Sequence, residues 1–203
     1  MYIPSHSEQT NRETLFEVIR EFSFATVVTH DGQAPFASHV PIVLDDAAET
    51  PRLLGHIARA NPQWKQFGDD DVLVIFEGPH AYVSPSWYES EQAVPTWNYV
   101  AVHAYGRARI IDGDELTNLV DRTVANYESG RATPWKNELP EDFRAGLLEA
   151  IVGFEIPIDR LEGKFKLGQS RPEADARGAI SGLRESGDGQ LADWMERQLE
   201  ERE

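Results

Sequence analysis

The chain has 203 residues, 40% of them hydrophobic, which is enough for one sizeable domain that needs no covalent staples. It contains no cysteine, which excludes disulfides, thiolate nucleophiles and cysteine metal sites. Its 35 acids against 19 Lys plus Arg give a formal charge of −16, and a chain this acidic is repelled by nucleic-acid phosphates unless it carries a local basic face.

The first residues, MYIPSHSEQTNRETL, lack the basic and apolar regions of a secretory leader, and no apolar run reaches the roughly 18 residues of a membrane span. A cytosolic protein with no membrane contact is expected. TNRETLFEVIREF opens with a Thr10-x-x-Glu13 capping box, and Leu15, Val18, Ile19 and Phe22 follow at helical spacing, predicting an amphipathic helix. FATVVTH (24–30) and APFASHVPIVLD, joined through Asp31-Gly32, read as a β-hairpin. LLGHIA (53–58) is a third strand, and ANPQWKQF a short helix with Asn61 as N-cap and Pro62 at its first position. VLVIFEG (72–78), HAYVS (80–84) and WNYVAVHAYGRARII (97–111) continue the strands. Helices follow over 113–128 and EDFRAGLLEAI, then a strand over 152–158 and two tail helices around Gly187-Asp188-Gly189.

Five or six consecutive strands with helices at both ends predict a mainly β fold with α additions (α+β), an antiparallel barrel. A parallel nucleotide-binding sheet does not fit strands that follow one another without long helices, and no Gly-rich phosphate fingerprint occurs. We expect one domain over 1–170 and a C-terminal helical extension over 171–203, packed on the barrel or on a partner.

Two features suggest function. Gly78 to Ala108 holds four of the six tyrosines and two of the five tryptophans. Alternation from Trp97 puts Trp97, Tyr99, Ala101, His103 and Tyr105 on one strand face and Asn98, Val100, Val102 and Ala104 on the other. With Trp87 and Tyr88 of SPSWY, and Thr96 to Asn98 at the strand entry, this stretch suits either a clamp for a planar ring or a dimer interface. The second feature is a pair of cationic islands in an acidic chain: Arg52 to Lys65 has three cations and no acid, and Arg160 to Arg171 has four cations and one acid. Either could receive a small anion.

Other chemistries find less support. His39, His56, His80 and His103 fall on successive predicted strands without the spacing of a dedicated metal site, although a haem needs only one imidazole. No nucleophile elbow or triad can be assembled. Pro172 to Glu203 has nine acids against four arginines, a net of −5, so direct DNA binding through the tail helices is disfavoured.

GHIARANPQW, VIFEGPHAYVSPSWY, VPTWNYVAVHAYGRARI and EGKFKLGQSR resemble the PaiB-type, FMN-binding negative transcriptional regulators. The resemblance runs from Met1 to about Leu183. It implies a split β-barrel related to pyridoxamine phosphate oxidases and flavin reductases, assembled as a homodimer with FMN at the subunit interface. It also implies a flavin-linked regulator or an FMN-dependent oxidoreductase. A haem-binding split barrel and a cofactor-free dimeric regulatory protein are the alternatives. KFKLGQSR departs from the family's expected KFKLSQNR, so Gly168 and Ser170 replace a hydroxyl and an amide.

Joined to the charge islands, the resemblance makes Arg59 the main FMN phosphate ligand, with Asn61 as cap or second donor and His56 beside them. It places Ser38 and His39 on the same pocket. Trp87, Tyr88, Trp97, Asn98 and Tyr99 would face the flavin, and Lys164 and Lys166 would reach it from the partner subunit or lie over the barrel mouth.

Overall fold

A computed structural model describes residues 1–202. In chain order these form β1 (Glu8–Gln9), α1 (Arg12–Glu21), β2 (Phe24–His30), β3 (Pro35–Asp45), β4 (Arg52–Ala58), β5 (Asp71–Val83), β6 (Thr96–Arg107), β7 (Arg109–Ile111), α2 (Gly113–Glu128), α3 (Glu141–Glu149), β8 (Ile151–Pro157), β9 (Arg160–Lys166), α4 (Glu173–Ser186) and α5 (Gly189–Glu200). The nine strands found among the described residues run in the order β1-β9-β6-β5-β2-β3-β4-β8-β7. The fold is mainly β with helical additions, as expected, and β1 and β9 add to the strands read from the sequence.

Several boundaries differ for local reasons. The cap of α1 is Asn11, whose Oδ1 accepts the Thr14 N–H at 3.1 Å, one residue later than the Thr10 box. β5 is a single strand through Pro79. The pairing of β5 with β2 covers Leu73 to Ile75, so the missing proline N–H costs no ladder bond on that side. Residues 97–111 divide instead, because Arg109–Ile111 pairs with Glu155–Gly153 of β8. Alternation cannot signal such a change of partner. The hairpin turn spans Asp31 to Ala34, with Asp31 Oδ1 accepting the N–H groups of Gln33 and Ala34 at 2.8 Å each.

The chain divides into two compact units. One comprises residues 19–76 and 103–161. Its ladder pairs β2 with β3, β3 with β4, and β4 with β8 along their inward-facing apolar residues. Val43, Leu54 and Ile111 pack there under Leu116 and Leu119 of α2. The other unit comprises 1–18, 77–102 and 162–203. Here β1 pairs with β9, and Phe165 of β9 meets Trp194 of α5 edge to face at 5.3 Å. α4 ends at Gly187 (φ 93°), with Asp188 N–H bonded to Leu183 O (2.9 Å) and Gly187 N–H to Arg184 O (3.4 Å). This is the Schellman arrangement, and it folds α5 back beside α4.

Candidate functional site

Residues 59–66 form the turn that follows β4. Asn61 has both roles that an amide allows there. Its Oδ1 accepts the Gln63 N–H (3.0 Å), capping the short helix Pro62–Gln66, and its Nδ2 donates to Ser38 Oγ on β3 (2.8 Å). Gln63, which the sequence reading passed over, is fully buried; its Nε2 donates to the carbonyls of Val27 (2.9 Å) and Phe36 (3.2 Å), fixing the turn to β2 and β3.

Arg59 donates from Nε to Glu149 O (2.6 Å) and from Nη2 to Ile151 O (2.8 Å). It therefore neutralises carbonyls at the end of α3, a favourable place for a cation. Those bonds use two of its five N–H groups. His39 lies outward on β3, its Nδ1 2.9 Å from Thr26 Oγ1 and its ring stacked at 6.3 Å on Phe24, which is 69% exposed. His56 is half-buried on β4, and burial lowers its pKa, favouring the neutral ring.

In the other unit, β6 alternates as read. Asn98, Val100 and Val102 point inward, while Trp97, Tyr99 and Ala101 point outward. Trp97 is 55% exposed, with the His80 and Tyr82 rings each 6.3 Å away. Lys164 Nζ lies 5.4 Å from the ring centres of both Tyr2 and Tyr99, within cation–π range. Lys166 donates to Trp97 O (2.7 Å) and to Thr96 Oγ1. Phe165 points to the opposite side and is buried. Trp97, Tyr99, Lys164 and Lys166 thus share one aromatic and cationic surface.

Trp87 and Tyr88 are engaged elsewhere in the same unit. The indole of Trp87 lies against Gly182 of α4, and its carbonyl against Gly178. The Arg171 guanidinium lies 4.6 Å over the Tyr88 ring; burial raises the Tyr88 pKa, with Arg171 pulling against it. The loop carrying both is tied down by Asp175, a buried residue that the sequence reading also missed. Asp175 accepts the N–H groups of Glu89 and Ser90 (3.0 Å each) and the Ser90 hydroxyl (2.8 Å). Burial works against this carboxylate, but those bonds and the Arg171 charge together hold its pKa below the usual range. Asn98, inward and buried, lines a cleft of about 180 Å³ with Tyr88 and Lys166.

Within each unit, then, predicted residues converge: Ser38 with Asn61 in one, and Trp97, Tyr99, Lys164 and Lys166 in the other.

The family described as "putative FMN-binding domain" matches residues 1–160. The chain is 40% identical over 205 residues to "Protease synthase and sporulation protein PAI 2" of Bacillus subtilis, covering 98% of each. Its fold is similar to that of the flavocytochrome Anf3 from Azotobacter vinelandii (TM-score 0.65, 17% identity, 87% of this chain and 78% of that one). It is also similar to a FAD and heme binding protein from Mycobacterium smegmatis (TM-score 0.63, 16% identity, 85% and 80%). These likenesses show the split β-barrel of flavin-binding proteins.

Proposed function

We propose, for a chain that belongs to the PaiB-type family of FMN-binding split-barrel proteins, an FMN-dependent oxidoreductase whose flavin lies at the interface of a homodimer. FMN is the cofactor of this family, and the residues present suit it. The observation that carries the reading is the outward surface of Trp97, Tyr99 and Lys164, aromatic and cationic in a chain of charge −16. Such a surface suits a flat, anionic, partly apolar molecule better than open water. A second copy of the chain would cover what the flavin leaves exposed.

When bound, FMN supplies the electron-transfer chemistry. The chain supplies position and charge. Arg59, with Ser38, His39, His56 and Asn61, would hold the phosphate, the neutral His56 acting as a hydrogen-bond partner. Lys164, within cation–π range of Tyr99, would present its donors to the anionic cofactor.

Regulation by direct DNA contact has less support. In the tail, Arg177 bonds Glu173 (2.6 Å), Arg184 bonds Glu196 (2.6 Å) and Arg197 bonds Glu17 (2.7 Å), so these cations are matched by acids.

FMN and riboflavin titrations followed by flavin quenching test the phosphate assignment. Arg59→Ala is expected to weaken FMN about tenfold or more, the worth of a charge-assisted hydrogen bond, while leaving riboflavin unchanged. An equal loss for both flavins would assign Arg59 to the end of α3 alone. A steady NAD(P)H-dependent rate supports turnover, and a Soret band in the purified protein would point to haem instead.

A further inference from the structure

Ser7 is 1% exposed, and its Oγ has no hydrogen-bond partner among the described residues. A buried hydroxyl left unpaired is costly, so the group it pairs with is to be sought in a ligand. Ser7 lines the 180 Å³ cleft together with His6, Thr96, Asn98, Lys166 and Arg171. Two permanent cations and no carboxylate line this cleft, although acids outnumber cations 35 to 19 in the chain.

The cations are pre-positioned. Lys166 is fixed by Thr96 and Trp97 O, and Arg171 is seated on the Tyr88 ring. Asp175 approaches Arg171 only to 3.9 Å and is occupied by three shorter bonds from Glu89 and Ser90. The loop between the cations is held by its own backbone and amide. Arg171 N–H bonds Gly168 O (2.9 Å), and Gln169 Oε1 accepts the Leu167 N–H (2.9 Å). Gly168 takes φ 79°, the left-handed turn that glycine allows, and a Cβ there would reach nothing closer than 3.7 Å. The wall is therefore tied by hydrogen bonds on both sides of Gly168.

We propose that this cleft binds the phosphate or carboxylate of a small molecule other than the flavin, with Ser7 Oγ, Lys166 and Arg171 as its donors. Its volume is below the roughly 300–1,000 Å³ of a drug-sized pocket and suits one anionic group of a ligand that extends beyond it. Naming that ligand as the molecule that exchanges electrons with FMN rests on the oxidoreductase reading above; the anion binding does not.

The test uses full-length protein saturated with FMN, titrated calorimetrically with inorganic phosphate and, separately, with acetate. Saturable binding of at least one is expected, weakened about tenfold in Ser7→Ala and in Arg171→Gln. Ser7→Ala removes a hydroxyl with no internal partner, so its unfolding midpoint should not fall, which keeps the test valid if Arg171→Gln folds poorly. Whichever anion binds distinguishes a phosphate from a carboxylate ligand. The proposal is overturned if neither binds, or if both variants bind like the wild type. It is also overturned if, in flavin-free protein, FMN displaces phosphate while riboflavin does not, since the cleft would then be the flavin's own phosphate site. Flavin quenching in the same samples reports separately on FMN binding.

Discussion

Alanine at position 182 is expected to lower the thermal unfolding midpoint by about 4–8 °C. A Cβ there would lie 2.3, 2.4 and 2.6 Å from Cδ2, Cε2 and Cγ of Trp87, all atoms of a rigid bicyclic ring. One turn earlier, a Cβ at Gly178 would come within 2.0 Å of the Trp87 carbonyl oxygen. The two glycines thus form a notch on one face of α4 that receives both the side chain and the backbone of Trp87. The loop cannot easily retreat, because Asp175 anchors it at Glu89 and Ser90. Overpacking of this kind costs about 3 kcal/mol, and the better helix propensity of alanine returns about 1 kcal/mol. The net, about 2 kcal/mol, corresponds to the stated shift for a chain of this size. Gly189→Ala is the control, since a Cβ there meets nothing within 4 Å. If Gly182→Ala melts at or above the wild type, Trp87 is not seated on α4.

Asp45→Asn should be nearly as damaging at neutral pH and progressively less so in acid. The Asp45 side chain is 10% exposed and accepts from Arg52 Nε at 3.0 Å, with Arg122 Nη1 at 3.1 Å. Arg52 in turn reaches Glu155 (2.7 Å), which also receives Arg109 Nε (2.9 Å). The Arg122 hydrogen bond, aided by Arg52, keeps the Asp45 pKa below its ordinary value despite the opposing cost of burial. A depressed folded pKa means stability that is complete above the unfolded value of about 3.9 and is lost as pH falls through the lower folded value. Breaking a buried pair costs about 3–5 kcal/mol, but both guanidinium groups keep partial contact with water, so about 2 kcal/mol is the expected loss at pH 7. Urea midpoints at pH 7 and near pH 3 check the sign: the gap between variant and wild type should shrink in acid. An unchanged gap would mean that Asp45 acts through shape rather than charge.

What the sequence disclosed, and what it withheld, follows from the range of each interaction. β2 at 24–30 and α2 at 113–128 match their expected bounds because their periodicity is internal to the segment. β1 is two residues long and has no period to read, so it exists only through β9, more than 150 positions away. The same holds for the candidate site. Outward Trp97 and Tyr99 were legible from alternation alone, and Asn61 as a cap from its proline neighbour. Arg59 meets carbonyls about 90 positions away, and nothing local marks Gln63 or Asp175 as anchors. Ser7 is an unremarkable serine until Lys166 and Arg171 close around it.

The division of the chain also bears on its synthesis. The unit that holds the anion cleft is assembled from residues 1–18, 77–102 and 162–203. The Met1 amine binds Glu162 at 2.6 Å, and Arg197 binds Glu17. A ribosome therefore releases β1 long before β9 exists to pair with it. At roughly 5–20 residues per second, the distance from Gln9 to Glu162 is a delay of about 8–30 seconds. The other unit, complete by residue 161, can condense first.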